Sequence, residues 1–90
     1  MSLYERVRDE AGSDAVYQKA VEELTECSLA IQHRNKIPSW QLIDELADAM
    51  IVIEQCIEMV GACDVTKRYY AKLGRLEMLL REGKLKDGMA

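Results

Sequence analysis

The chain has 90 residues, 49% hydrophobic and 31% charged, with sixteen acidic against twelve basic side chains and a net charge of −4. These values describe one small globular domain and exclude a disordered tail. They argue against duplex nucleic acid as a partner, because no dense basic stripe offsets the acidic balance. Five Gly, one Pro and no Phe point away from a turn-rich β-fold.

The predicted elements are a short helix followed by three long ones. Ser2 and Glu5 form an S-x-x-E capping box, so the first helix runs from Leu3 to Ala11 and stops at Gly12. Ser13 or Asp14 caps the second. Its apolar positions are Tyr17, Ala20, Val21, Leu24, Cys27, Ser28 and Ile31, a helical spacing, and it ends near His33. Pro38-Ser39 opens the third helix, expected over Trp40 to Val60, with Gly61 behind it. The fourth is expected to be capped by Asp64, to extend to about Glu82, and to carry a stripe of Val65, Tyr69, Leu73, Leu76 and Leu80.

Cys27, Cys56 and Cys63 are too few and too odd in number for a disulfide framework, and none forms a CxxC. Buried reduced thiols in a cytoplasmic protein are the expectation. The polar start, MSLYERVRDE, does not resemble a secretory signal, and no stretch approaches the ~20 apolar residues of a membrane helix.

The informative residues are acidic. Glu23 and Glu26 are three apart, as are Glu45 and Asp48, and each pair shares a helix face. Glu23 borders the arc of Ala20, Cys27 and Ile31, while Glu26 lies just outside it. On the third helix Glu45 and Asp48 share a side with Val52 and Met59, and Leu42, Leu46, Ala49, Ile53 and Val60 form the expected main stripe. That helix is apolar around most of its circumference, so its acids are expected to be enclosed. Adjacent helices pack about 8–10 Å apart, so the four carboxylates converge if these faces meet. Two unit charges ~5 Å apart repel by roughly 3 kcal/mol at an effective dielectric of about 20. Protonation relieves that repulsion. So does a divalent cation, and a ligand set of oxygens alone indicates Mg²⁺ or Mn²⁺ rather than zinc. A di-iron centre would want Glu-x-x-His pairs, and the single histidine, His33, follows Ala30 by three.

On the fourth helix Arg68, Lys72 and Arg75 recur at i, i+4, i+7 beside the apolar stripe. Such cations opposite a metal–carboxylate cluster suit a polyphosphate. Trp40 is placed either to stack on a base or to pack on a neighbour.

Glu22-Glu23-x-x-Glu26, then eighteen residues, then Glu45-x-x-Asp48 resembles the EExxE…ExxD signature of the all-α nucleoside triphosphate pyrophosphohydrolases, the MazG-like superfamily. Lys72-Leu73-Gly74-Arg75-Leu76 resembles the K-[FL]-x-R-[FL] element on the last helix of MazG-like domains. The likeness covers about Val16 to Glu82. The short length and the IDELADAMIVIEQ run are similar to compact MazG-like proteins of phages and prophages. Two departures stand out. Tyr70-Ala71 stand where an asparagine commonly precedes the lysine, and Gly74 sits inside the helix at about 1 kcal/mol relative to Ala.

The resemblance implies an all-α bundle over residues 1–90, its motif-bearing core about 14–82, completed by assembly into homodimers or homotetramers. It implies Mg²⁺-dependent hydrolysis of a (d)NTP between the α- and β-phosphates, giving the monophosphate and pyrophosphate. Glu23, Glu26, Glu45 and Asp48 then match metal ligands. Glu22 and Glu26 match the acids that orient the attacking water or take its proton. Lys72 and Arg75 match phosphate contacts, with Arg68 beside them. The competing expectation is a non-catalytic helical oligomerisation module that retains the same fold.

Overall fold

The computed structural model describes residues 1–86, and their regular structure is all helical: α1 (Leu3–Ala11), α2 (Ser13–Gln32), α3 (Ser39–Val60) and α4 (Ala62–Arg81). The all-α expectation, a short helix followed by three long ones, is therefore met. The chain divides into two compact units, Met1–Met59 with α1, α2 and nearly all of α3, and a second from Val60 onward with α4. Among the described residues no helix is long and apolar enough to cross a membrane.

Local signals explain the boundaries. The Ser2 hydroxyl accepts from the Glu5 N–H at 3.1 Å and caps α1. Gly12 ends α1 with its N–H on the Arg8 carbonyl at 2.8 Å, and starts α2 by offering its own carbonyl to the Val16 N–H at 3.2 Å. One residue thus serves both helices, and neither Ser13 nor Asp14 acts as the expected cap. Gly12 does so at φ 89° and ψ 150°, a region open in practice only to glycine. Gly61 likewise takes φ 133° before α4, which starts at Ala62, so Asp64 lies in the first turn instead of capping it. There its charge still suits the positive end of the helix.

Within the first unit α1 lies against α3 through two polar contacts. The Tyr4 hydroxyl donates to Glu54 Oε2 at 2.7 Å, and Arg8 Nη1 lies 3.7 Å from Glu58 Oε1. The buried stripe of α2 is Val16, Ala20, Glu23, Cys27 and Ala30, alternating steps of four and three that keep one face inward. The buried residues of α3 are Ala49, Val52 and Gln55, with Glu45 and Met59 half-buried on the same side.

This differs from the expected faces. Leu46, Ile53 and Val60 of the anticipated α3 stripe are exposed, as are Tyr17, Val21, Leu24 and Ile31 of α2. A helix apolar on nearly every side does not announce which side turns inward, and here the acid-bearing side does. The thiols also differ: Cys27 is buried, Cys56 half-buried and Cys63 exposed. On α4 no described residue is buried, so Tyr69, Leu73, Leu76 and Leu80 are exposed.

Gly12→Ala tests the α1–α2 junction. A Cβ there meets nothing within 4 Å, so any loss reports backbone strain alone. Urea unfolding should show about 1–3 kcal/mol of destabilisation, with a lower midpoint and an unchanged slope.

Candidate metal centre

The centre is built from the two buried helix faces. Glu23 occupies the middle of the α2 stripe, between Ala20 and Cys27, and is only 8% exposed. Glu45 and Asp48 lie one turn apart on α3, four residues ahead of Ala49 and Val52 respectively, so they share the inward side of that helix. One carboxylate oxygen from each of Glu23, Glu45 and Asp48 lies within 4.8 Å of the other two. Exposure is graded across the trio, with Glu23 buried, Glu45 half-buried and Asp48 open to solvent. The acids therefore form a site with a closed floor and an open mouth.

Two oxygens make the arrangement unusual. Glu23 Oε2 and Glu45 Oε2 are both buried, and neither has a hydrogen-bond partner among the described residues. A buried polar atom left unpaired is costly, more so when charged. The other Glu23 oxygen, Oε1, is held by the Lys19 ammonium at 2.8 Å, and the same ammonium lies 3.8 Å from Glu22 Oε2. Lys19 is the one cation that ion-pairs with the trio among the described residues. Its hydrogen bond to Glu23, with the charges of Glu22, Glu23 and Glu26, holds its ammonium above the ordinary lysine range.

The carboxyl of Glu45 is pushed above its ordinary 4.5, first by burial, then by the negative charges of Glu26, Asp48, Glu23 and Asp44. Its neighbours thus disfavour ionisation. The donor set is oxygen alone, the preference of hard divalent cations. Two buried, unpartnered acceptor oxygens beside a third carboxylate fit such an ion.

The expected residues divide into three groups. Glu23, Glu45 and Asp48 are brought together. Glu26 is exposed and outside the trio, although its charge is felt at Glu45. Glu22 is exposed one residue away on α2, within reach of Lys19. Arg68, Lys72 and Arg75 are exposed on α4 in the second unit, and none forms an ion pair among the described residues. Trp40 is exposed at the start of α3.

Lys19 was not among the sequence candidates. Its signal was its spacing, i+3 to Glu22 and i+4 to Glu23, readable as soon as Glu23 is known to face inward. A separate apolar groove on α2, lined by Val21, Leu24, Thr25, Ser28 and Leu29, contains none of the acids. The chain matches no protein-family model, no curated protein sequence and no solved structure.

The raised Glu45 carboxyl sets a pH dependence. A group whose folded value lies above its unfolded one favours the fold fully below about 4.5, and that contribution is lost as pH rises through the raised value. The cation-free protein therefore loses stability from this group as pH climbs from 4.5 toward neutrality. A cation competes with the proton, so millimolar Mg²⁺ should raise Tm more at pH 7.5 than at pH 5. Glu45→Gln should raise the Mg²⁺-free Tm at pH 7.5 and remove most of the Mg²⁺ response. Thermal melts with and without chelator check both outcomes.

Proposed function

We propose that this chain is a Mg²⁺-dependent nucleoside triphosphate pyrophosphohydrolase of the MazG-like kind, with Mn²⁺ as an alternative ion. The observation that carries this is the convergence of buried Glu23, half-buried Glu45 and exposed Asp48, with two buried carboxylate oxygens that nothing among the described residues satisfies. The resemblance of the EExxE…ExxD pattern supplies the reaction class.

Glu23, Glu45 and Asp48 would hold the ion, and Glu26, whose charge is felt at Glu45, would act beside them. The ion, when bound, neutralises phosphate oxygens and acidifies a water. The protein's own residues do the rest. Glu22 and Glu26, both exposed on α2, would orient a water and take its proton. Attack at the α-phosphorus then breaks the bond to the β-phosphate, releasing the nucleoside monophosphate and pyrophosphate. By the resemblance alone, Lys72 and Arg75, with Arg68, match phosphate contacts, the role in which positive charge stabilises a pyrophosphate leaving group.

Assembly belongs to the same proposal. Val21, Leu24 and Leu29 on α2, and Leu46, Met50 and Ile53 on α3, are large apolar residues left exposed. They are 40–67% exposed, so covering several of them against a second copy would gain that share of the about 1.5–3 kcal/mol of full burial each, set against the cost of association. A homodimer or homotetramer is the form expected. These exposed faces equally favour a non-catalytic oligomerisation module of the same fold, and only turnover separates the two.

Incubation with each common (d)NTP and Mg²⁺ should give pyrophosphate and the monophosphate. A product pair of diphosphate and orthophosphate would contradict the assigned bond, and no turnover across the panel would favour the binding module. Glu45→Ala and Asp48→Ala should each cut turnover more than about a hundredfold while circular dichroism stays helical. Light scattering should find a dimer or tetramer, shifted toward monomer by Leu24→Asp with Ile53→Asp.

A further inference from the structure

Lys19 has no part in the functional assignment above, yet it makes the shortest ion pair among the described residues, 2.8 Å from its Nζ to Glu23 Oε1. An ordinary helix-surface pair does not account for it. Exposed i,i+4 pairs contribute little, and the order Lys before Glu is the weaker of the two. Here the partner is not on the surface. The side chain of Glu23 is 11% exposed while that of Lys19 is 59% exposed, so a largely solvated cation pairs with a buried anion.

The two oxygens of Glu23 are divided. Oε1 faces Lys19, and Oε2 is buried and unpartnered. Glu45 and Asp48 form no ion pair of their own among the described residues. Among the described residues, the one cation that ion-pairs with the cluster is therefore Lys19.

We propose that Lys19 is a built-in counter-ion of the acidic centre, relieving the crowding of the carboxylates when no divalent cation is bound and so setting how tightly one binds. This rests on the assignment of Glu23, Glu45 and Asp48 as a divalent-cation centre. A divalent ion on Glu23 must either share that carboxylate with a positive charge or displace it, and both weaken its binding. Lys19 thus lowers the affinity of the centre while keeping the empty centre tolerable. It acts through Glu23 as a positioning residue and not as a ligand.

The test is Mn²⁺ binding by the full chain, read from the free-ion electron paramagnetic resonance signal at low ionic strength. Lys19→Met should bind Mn²⁺ about tenfold more tightly than the unaltered protein, and Lys19→Gln should behave the same way. Lys19→Arg, which keeps the charge, should stay near the unaltered value. The gap between Lys19→Met and the parent should narrow as salt rises from about 20 mM to about 500 mM, because the effect is a charge effect. A merely structural helix pair would alter Tm and leave Mn²⁺ affinity and its salt dependence unmoved. Equal or weaker Mn²⁺ binding by Lys19→Met and Lys19→Gln would overturn the proposal. Absence of Mn²⁺ binding by the parent and every variant would instead remove the metal centre itself, and the role of Lys19 with it.

Discussion

Negative charge turned inward is the constraint around which the first unit is organised. Helices normally bury apolar residues and leave acids in water, because a desolvated carboxylate without a partner is expensive. Here Glu23 sits in the middle of the buried stripe of α2, and Glu45 and Asp48 face it from α3. The helices meet where their charges meet. In the proposed centre, a cation that satisfied Glu23 Oε2 and Glu45 Oε2 would stabilise the helix pairing as well as the site, linking its binding to the folding of this unit.

The remaining core is modest, which sharpens that linkage. Among the described residues the buried apolar ones are Val16, Ala20, Cys27, Ala30, Ala49 and Val52, and none of the large side chains is fully enclosed. Small residues allow close approach of helices but contribute little transfer energy each. The larger apolar residues, such as Leu24, Leu46, Met50 and Ile53, lie outside this core. A small domain with its bulk hydrophobics exposed gains stability from a partner surface, and one with crowded acids inside gains it from a cation. In the proposed hydrolase the two gains reinforce each other.

In the proposed centre, Lys19 would keep the acids foldable without a cation. A fully apolar replacement at the floor would be more stable but would hold no cation. A second fixed, buried cation would neutralise the acids permanently. An exposed lysine on a flexible stem, with its charge on one oxygen of Glu23, lies between these extremes. Glu22 extends the same arrangement outward, sharing the ammonium at 3.8 Å.

Much of this was legible before any fold was known. Helix count, the Ser2 cap, the Gly12 and Gly61 junctions and the pairing of Glu45 with Asp48 follow from local chemistry, because caps, glycine breaks and i,i+3 spacing act within a few residues, whereas Glu26, expected beside Glu23, lies outside the trio. The inward side of α3 was not legible, since Leu46 and Ile53 are as apolar as Ala49 and Val52 and periodicity alone ranks them equally. Nor was the position of Lys19, which becomes meaningful only when Glu23 is enclosed. Sequence determined which residues ride together on each helix; tertiary structure decided which of those faces lost contact with water, because burial depends on what a neighbouring helix covers and not on the helix itself.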